Sequence, residues 1–324
     1  MSSTSTEQEL CAACTSGQVG LVLLLLSSNP FVNVNWASPD RGDTCLHRAC
    51  RFGHLHIVET LLKHTAVNVN QGNEGLASPL FIACQEGQKE VVALLLADTR
   101  VDANKPKDTG ATPFFKVCEK GHQEVVALLL ADMRIDINEP KNTGRTPLWF
   151  AAQEGHLSVV QLILVSGREV ETTCKTVATG LKAAAEIARF QGTRARYADE
   201  SEEIFTRKKL NGPLIAILIT SFDLDPVTTR QQLRELPGIR DSFISDLFAL
   251  VIFLCDDLLT MSAEPTVTDK KATRFFQIVH HLPMELQMVI CNRVFGAGKG
   301  IVLTKHSEPA FKKLGKLLAS SKGH

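Results

Sequence analysis

Cysteines near the start of the chain have the spacing of half a zinc site. Cys11 and Cys14 form a Cys-x-x-Cys pair, and Cys45 and Cys50 offer further thiolates for a tetrahedral zinc ion. One cysteine position, however, recurs in the repeat described below: Cys14 holds it in the first unit, Cys50, Cys84 and Cys118 hold it at steps of 34 residues, and Ala152 takes it in the fourth clear unit. Because this is the period of a hydrophobic core, we favour buried thiols over zinc ligands. The odd total of nine cysteines also fits reduced thiols better than a disulfide framework.

Two motifs in the second half of the chain have part of the pattern of a ligand site. His281 and Glu285 are four residues apart, as metal ligands on one helical face can be, but Pro283 lies between them and no third ligand is indicated. Residues 296–300 have the glycines and lysine of a phosphate loop but not its spacing or its Ser/Thr, so we favour a turn. No nucleophile, general base or paired carboxylates have a recognisable signature. The sequence therefore predicts no catalytic residues, no metal, no cofactor and no enzyme.

An internal repeat positions most of the polar residues in the first half. Four helix-capping residues follow one another at steps of 34 residues: Thr44, Ser78, Thr112 and Thr146. Nine residues after each cap comes a glycine: Gly53, Gly87, Gly121 and Gly155. The cap, a proline in the first turn and the terminal glycine predict a short helix, and the apolar run that follows predicts a second one. A fixed period of this length indicates stacked helical units.

These residues resemble the ankyrin repeat, whose signature is Thr-Pro-Leu-His, Ala-Ala, Gly-His and Val-Val-x-Leu-Leu-Leu. The clearest copy is Thr146-Pro-Leu-Trp-Phe-Ala-Ala-Gln-Glu-Gly155-His-Leu-Ser-Val-Val-Gln-Leu-Ile-Leu164. The resemblance implies an all-α solenoid of helix-turn-helix units with hairpin-like finger turns. The chain departs from the family after the second helix, where Asp98-Thr-Arg100 and Asp132-Met-Arg134 replace the usual Gly-Ala-Asp, and this leaves the shape of the outer loop open.

The repeat and the composition together predict four regions. Residues 1–7 are expected to be flexible, and residues 8–176 to hold an N-terminal capping repeat and four clear repeats. Residues 177–224 read as a degenerate fifth repeat with an insertion, whose second helix we expect over residues 213–222. A helical C-terminal domain is expected over residues 225–324, with helices over residues 241–259, 269–281, 283–295 and 307–318.

The resemblance implies that partner proteins contact the finger turns and the polar residues just before each helix-ending glycine. In the finger turns these are Arg41, Asp43, Glu74, Asp108, Asn142 and Arg145. At the helix ends they are Arg51, Phe52, Gln85, Glu86, Glu119, Lys120, Gln153 and Glu154. Few interface residues carry most of the binding energy, so many of these side chains are expected to be simply solvated.

Four aromatic residues replace the histidine or small residue usual near the start of the first helix. They are Phe81, Phe115, Trp149 and Phe150. Either they tighten the stacking of the repeats, which we favour, or they expose an aromatic strip to a partner.

A segment near the end of the chain resembles a second module. Leu282-Pro283-Met-Glu285-Leu286-Gln-Met-Val-Ile290 is similar to the opening of an F-box, which docks a substrate receptor onto a cullin-type ubiquitin ligase. The resemblance implies adaptor docking by Leu282, Pro283, Leu286 and Ile290. A proline-started helix with an acidic first turn gives the same pattern, and we favour that interpretation. The span from residue 185 to the end also resembles the tail of uncharacterised ankyrin proteins of simple eukaryotes, which implies no activity.

Charge and hydropathy exclude several classes of partner. The 324 residues contain 35 basic and 35 acidic side chains, so no overall field draws the chain to nucleic acid. No apolar run is long enough to span a membrane, and the first residues lack the pattern of a signal peptide. We expect a monomeric intracellular protein, cytoplasmic or nuclear. The favoured function is a non-enzymatic scaffold or adaptor for a partner protein, and the alternative is a substrate receptor of a cullin-type ligase.

Overall fold

A computed structural model describes residues 5–174, 183–236 and 239. The chain divides into two compact units, Met1–Pro226 and Val227–His324. Every regular element in the described residues is an α-helix, which confirms the all-α fold predicted from the sequence. Thr173 and Ala183 form an isolated antiparallel bridge. None of the described helices combines the length and the apolar content needed to cross a membrane.

The first unit consists of two layers of helices. The inner helices are α1 (Thr6–Ser16), α3 (Cys45–Phe52), α5 (Pro79–Glu86), α7 (Pro113–Lys120), α9 (Pro147–Gln153) and α11 (Ala184–Thr193). The outer helices are α2 (Val19–Ser28), α4 (Leu55–Lys63), α6 (Lys89–Ala97), α8 (Gln123–Leu130) and α10 (Leu157–Val165). They are followed by α12 (Glu202–Leu224) and then α13 (Pro226–Arg234). Each helix packs on its partner in the same repeat and on the equivalent helix of the next repeat.

The inner helices begin and end where the repeat predicts. The Ser78 hydroxyl accepts a hydrogen bond from the Phe81 N–H at 3.2 Å, and the Thr112 hydroxyl accepts one from the Phe115 N–H at 3.1 Å. Thr44 and Thr146 cap α3 and α9 in the same way. Left-handed glycines follow α3, α5 and α7, where they satisfy the last carbonyl groups of the helix. These observations confirm the predicted caps.

A ladder of side chains joins each inner helix to the next repeat. The His122 imidazole binds the Gln85 carbonyl oxygen at 3.0 Å, and the His156 imidazole binds that of Glu119 at 3.1 Å. Gln88 makes the equivalent bond with its amide. Gly121 lies so close to the His156 ring that a Cβ there would stand 2.3 Å from it, and its φ of 80° also favours glycine. The helix-ending glycine therefore serves both the turn and the stacking of repeats.

The outer loops are joined by hydrogen bonds of asparagines and by a clasp, in which an arginine held by an aspartate binds the preceding outer helix. The Asn70 amide donates to the Arg100 carbonyl oxygen at 2.7 Å and accepts from the Asp102 N–H at 2.8 Å. Asn35, Asn104 and Asn138 repeat this pair of bonds. The Arg100 guanidinium is held by Asp98 and donates to the Leu62 carbonyl oxygen at 2.7 Å in the last turn of α4.

Asp132 and Arg134 form the same clasp one repeat later. The Arg134 guanidinium donates to the Leu96 carbonyl oxygen at 2.7 Å, in the last turn of α6. The hydrogen bond from Arg100 lowers the pKa of Asp98. Burial raises the pKa of Asp132, but the bonds from Arg134 outweigh that effect and lower it. The sequence did not predict the shape of this outer loop. The clasp gives the Asp-x-Arg pattern a structural role at the place where the family has Gly-Ala-Asp.

The last helix of the first unit begins earlier than the helix predicted over residues 213–222. The helix α12 begins at Glu202, where Ser201 caps it and two glutamates stand in its first turn, and Pro213 lies inside it. The α11 helix packs on α9 as a further inner helix, and α12 packs on α9, α10 and α11. Gly212 allows this contact, because a Cβ there would lie 2.4 Å from the Ala188 carbonyl oxygen.

A charged cluster attaches α12 to the fourth repeat. The Lys208 ammonium lies 2.9 Å from the Glu154 carboxylate and 3.4 Å from that of Glu200, and its side chain is 10 % exposed. The Arg194 guanidinium binds both oxygens of Glu200 at 2.6 Å. Burial raises the pKa of Glu200, but Arg194 and Lys208 outweigh that effect and lower it. The four side chains thus form a paired and largely buried ionic group.

Several predictions concern residues that the structure does not describe. The four helices expected between residues 241 and 318 lie outside the described residues, as do the His281 and Glu285 pair, the glycines of residues 296–300 and the F-box-like segment. In the second unit, the described helix is α13, with Thr229 and Leu233 buried. The predicted domain boundaries stay predictions.

Candidate partner-binding surface

The finger turns, here residues 40–43, 74–77, 108–111 and 142–145, are aligned by hydrogen bonds from one turn to the next. The Glu74 N–H donates to the Arg41 carbonyl oxygen at 3.1 Å, and the Asp108 N–H donates to that of Gly75 at 3.1 Å. The Asn142 N–H continues the series to the carbonyl oxygen of Thr109 at 3.0 Å. Equivalent residues of successive turns therefore lie in one row.

Four of the finger residues predicted as contacts are exposed on these turns. They are Arg41, Glu74, Asp108 and Asn142. Arg145 is half-buried because its guanidinium stacks on the Trp149 ring, with 4.5 Å from the guanidinium carbon to the ring centroid. Glu74, Asp108 and Asn142 take one repeat position, which Asp40 takes in the first finger. Arg41 stands at the neighbouring position, where the later fingers have Gly75 and Thr109, so the turns present three carboxylates, an amide and one guanidinium.

Asp43 does not belong to the exposed row. It is 2 % exposed, its carboxylate binds the Arg51 guanidinium at 2.9 Å, and it accepts a hydrogen bond from the Asn73 amide at 2.9 Å. The prediction of Asp43 as a contact residue is wrong, because the residue before the cap faces the next finger turn. Asp43 instead holds Arg51 and the following finger in place.

The polar residues at the ends of the inner helices are only partly available. Phe52, Glu86 and Lys120 are exposed, and Phe52 has 50 % of its surface accessible. The others are half-buried, namely Arg51, Gln85, Glu119, Gln153 and Glu154.

Glu154 is occupied by the last helix of the first unit. Its carboxylate pairs with Lys208, and its carbonyl oxygen accepts a hydrogen bond from Arg207 at 3.0 Å. Its carboxylate is thus already paired within the chain, and its role as a contact residue stays a prediction. The Asn211 amide likewise donates to the carbonyl oxygen of Gly155 at 2.8 Å. Helix α12 thus binds carbonyl groups at the end of α9, whereas His122 and His156 bind carbonyl groups at the ends of α5 and α7.

The four aromatic residues pack inside the repeats. Phe81, Phe115 and Trp149 are 1–2 % exposed and Phe150 is 8 % exposed. The ring centroids of Phe115 and Phe150 are 4.8 Å apart, and Lys107 and Lys141 lie near the rings of Phe81 and Phe150. An exposed aromatic strip is therefore excluded. Their position one turn into the inner helix faces the neighbouring repeat, as the favoured alternative expected.

The cysteines of the repeat form a buried column. Cys14, Cys50, Cys84 and Cys118 have no exposed surface, and burial raises the pKa of the thiols of Cys50, Cys84 and Cys118. The described residues contain no group of three or more His, Cys, Asp or Glu side chains placed to hold a metal ion. Neutral, buried thiols are poor nucleophiles, so this column acts in packing.

His47 is buried in a structural role as well. Its Nδ1 accepts from the Thr44 N–H at 3.1 Å and its Nε2 lies 2.9 Å from the Ala77 carbonyl oxygen, so that it links two repeats. Burial lowers the pKa of this imidazole. Both ring nitrogens are engaged within the fold, which leaves neither for acid-base chemistry.

Leu76 is a surface residue that the sequence reasoning missed. It occupies the position of Gly42, Gly110 and Gly144 in the other finger turns and adopts their left-handed conformation, with φ 57°. Its side chain is 55 % exposed. A bulky residue with positive φ is a conformational outlier that costs free energy. The signal in the sequence was the order Gly75-Leu76 where the other repeats have a residue followed by glycine.

The comparison with known families agrees with this geometry. A family model of ankyrin repeats, in three copies, matches residues 10–107 and 80–174, which together are just over half of the chain. No curated protein is significantly similar to the chain in sequence. Ankyrin repeats form a protein-interaction module. The chain belongs to the ankyrin-repeat family.

Proposed function

We propose that this chain is a non-enzymatic scaffold or adaptor that holds a partner protein on its finger turns and inner-helix ends. The observation that carries the proposal is the row of exposed finger residues, which successive hydrogen bonds between turns keep in register. A rigid row of this kind offers side chains to a partner without an ordering cost in the backbone.

The chemistry of the surface favours a protein over a polyanion. Arg41, Glu74 and Asp108 differ in sign along the fingers, and Glu86 and Lys120 differ in sign on the inner-helix ends. A nucleic acid would require one sign of charge along the row. A partner that carries both signs of charge suits this surface, and exposed Leu76 and Phe52 add apolar area to it.

Affinity capture from cell lysate with mass spectrometry tests the proposal. The variant combines Arg41→Glu, Glu74→Lys and Asp108→Lys, and the matched control is Glu90→Lys on the exposed side of α6, which changes the net charge by the same amount. We expect the partner to bind the native chain and the control, and to lose at least tenfold in recovery with the finger variant. Equal recovery with all three chains would contradict the proposal.

The alternative function is a substrate receptor of a cullin-type ubiquitin ligase. The F-box-like sequence of residues 282–290 favours it, and these residues lie outside the described part of the chain. Under this proposal Leu282, Pro283, Leu286 and Ile290 contact the ligase adaptor while the repeats hold the substrate.

The same capture experiment separates the two functions. The full chain, residues 1–226 and a full chain with Leu282→Lys and Leu286→Lys are compared, each after a folding check by circular dichroism. Ligase adaptor and cullin recovered with the native chain, and lost with a folded double variant, would favour the receptor. Their absence from every sample, with the main partner retained by residues 1–226, would favour a scaffold that uses its repeats.

A further inference from the structure

The outer helix of the first repeat carries an apolar face that nothing in the described residues covers. Leu23 is 51 % exposed and Leu24 is 59 % exposed, and Phe31 in the following turn is fully exposed. At the position of Leu23, the outer helices α4, α6, α8 and α10 have Glu59, Ala93, Ala127 and Gln161. The exposed leucine is thus peculiar to α2.

The repeat explains which side of α2 is open. In α6, the side chains of Leu94 and Ala97 line a shallow groove together with Glu59, Leu62 and Lys63 of the preceding outer helix α4. In α2, Leu24 and Ser27 occupy the positions of Leu94 and Ala97, whereas Leu23 occupies the position of Glu59, which lines the groove from the other helix. Among the described residues no outer helix precedes α2, so its open side is the one that would pack against a further helix.

The inner layer ends differently at the same end of the stack. The exposed residues of α1 include Gln8, Glu9 and Ser16, which suit water. The outer layer ends instead in leucines. A stack that simply ended in solvent would be polar in both layers, so the contrast points to an occupant for α2.

The charge and symmetry of α2 identify the occupant as a second copy of the chain. No charged residue occurs from Leu10 to Pro39, in a chain that is 22 % charged, so two identical faces would meet without repulsion between like charges. By contrast, α6 and α8 carry Glu90 and Glu124 at the position of Gly20. On a face that pairs with itself, such a glutamate would need an opposite charge on the second copy, and α2 offers none.

The order of residues in α2 is also nearly symmetric about its middle. Leu23 and Leu24 are central, and the small residues Gly20 and Ser27 stand at equal distances on either side. All four are exposed, and a Cβ at Gly20 would meet nothing within 4 Å. In an antiparallel pair, Leu23 would face Leu24 of the second copy, and Gly20 would face Ser27 of the second copy. The small residues would let the two helices approach closely.

We propose that α2 is a self-association surface, through which two copies of the chain form an antiparallel dimer about a two-fold axis. This inference replaces the monomer expected from the sequence. It is independent of the proposed function, because α2 and the finger turns consist of different residues. The dimer would carry two partner-binding surfaces and so could hold a bivalent partner with higher avidity.

Sedimentation equilibrium of the full chain tests the dimer. Over rising concentration, the mass should move from 35.5 kDa to twice that value and no further. Leu24→Lys should weaken the dimer at least tenfold, because it places a charge in the apolar contact. The matched control is Leu214→Lys, which changes a leucine of α12 that is 53 % exposed, and it should leave the dimer unchanged. Circular dichroism checks the fold of each variant.

A compensating double variant tests the antiparallel arrangement. Leu23→Glu and Leu24→Lys in one chain place opposite charges against each other across the two-fold axis. This chain should associate again, more tightly at low salt than at high salt. A mass of 35.5 kDa at every concentration, a dimer that survives Leu24→Lys, or a dimer that only Leu214→Lys abolishes would overturn the proposal. Masses beyond two copies, or no rescue by the double variant, would do the same.

Discussion

At the scale of single residues, Leu76 shows a conflict between local conformation and surface chemistry. The φ of 57° costs free energy in any residue with a Cβ. Because the Leu76 side chain is exposed, no burial of apolar surface offsets that cost. Leu76→Gly should therefore raise the free energy of unfolding by about 1 kcal/mol, as measured by urea denaturation. Leu76→Ala keeps the strained conformation and should change stability by less than half as much.

The same variant separates strain from function. If Leu76 contacts the partner, Leu76→Gly should weaken partner capture while it stabilises the fold. A glycine variant that is less stable than the native chain would contradict the assignment of strain at this position.

A second residue, His156, makes the stability depend on pH. Burial, together with the nearby Arg207 guanidinium, lowers the pKa of this imidazole from 6.5 to about 4. Above pH 6.5 both folded and unfolded forms are neutral, and as the pH falls towards 4 only the unfolded form binds the proton, so stability is lost in that window. The loss should be about 2 kcal/mol once solvent screening of this half-buried ring is allowed for.

His156→Gln removes the titratable imidazole and keeps a hydrogen bond to the Glu119 carbonyl oxygen. The chain itself provides the model, since Gln88 binds the Arg51 carbonyl oxygen from the equivalent position at 3.2 Å. Urea unfolding at about pH 7 and about pH 5 should show a smaller loss of stability for the variant than for the native chain. Equal losses in the two proteins would rule out His156 as a source of the pH dependence.

At the scale of elements, the Asp-x-Arg clasp holds the ends of the outer helices. Arg134 binds Asp132 and also the last turn of α6, so Arg134→Met should cost about 1 kcal/mol in urea unfolding. Arg134→Lys should recover little of this, because an ammonium cannot reach both partners with a planar fork. Arg100→Met, in the same clasp one repeat earlier, should cost a similar amount.

A control excludes a simple charge effect. Lys120→Met also removes one positive charge, at an exposed inner-helix end, and should change stability only slightly. A loss from Lys120→Met as large as that from Arg134→Met would contradict the role given to the clasp.

We also predict that Lys208 holds α12 on the fourth repeat. Lys208→Met leaves the carboxylates of Glu154 and Glu200 without their shared ammonium, at a cost of about 3 kcal/mol. Local opening should then speed hydrogen exchange of the α12 amides by about a hundredfold. Lys209→Met, at the exposed neighbour, should leave exchange nearly unchanged. Equal exchange in the two variants would show that the ionic group does not hold α12.

The sequence predicted the parts of the fold that depend on local chemistry. Helix caps such as Ser78 and Thr112 and the glycine Gly121 were correctly placed because their hydrogen bonds lie within one repeat. The start of α12, the burial of Asp43 and the pairing of Glu154 were not predicted. Each depends on a contact with another segment of the chain, and such contacts leave no periodic trace in the sequence.

At the scale of the whole molecule, stacking converts these local features into a surface. Each repeat contacts its neighbours through the histidine and asparagine ladders, so that finger turns far apart in sequence keep one register. The repeat predicts the shape of the surface, whereas its specificity depends on variable residues such as Arg41, Glu74 and Leu76. This is why the family was readable from the sequence and the partner was not.

Photo-crosslinking in cells tests the central claim, that a partner protein lies on the finger turns, most directly. A photoreactive amino acid is placed at Asp108 in the finger row and, as the matched control, at Glu124 on the exposed side of α8. The adducts are then identified by mass spectrometry. We predict a discrete protein adduct from position 108 that is absent from position 124. The same adducts from both positions, or an adduct from position 124 alone, would contradict the account.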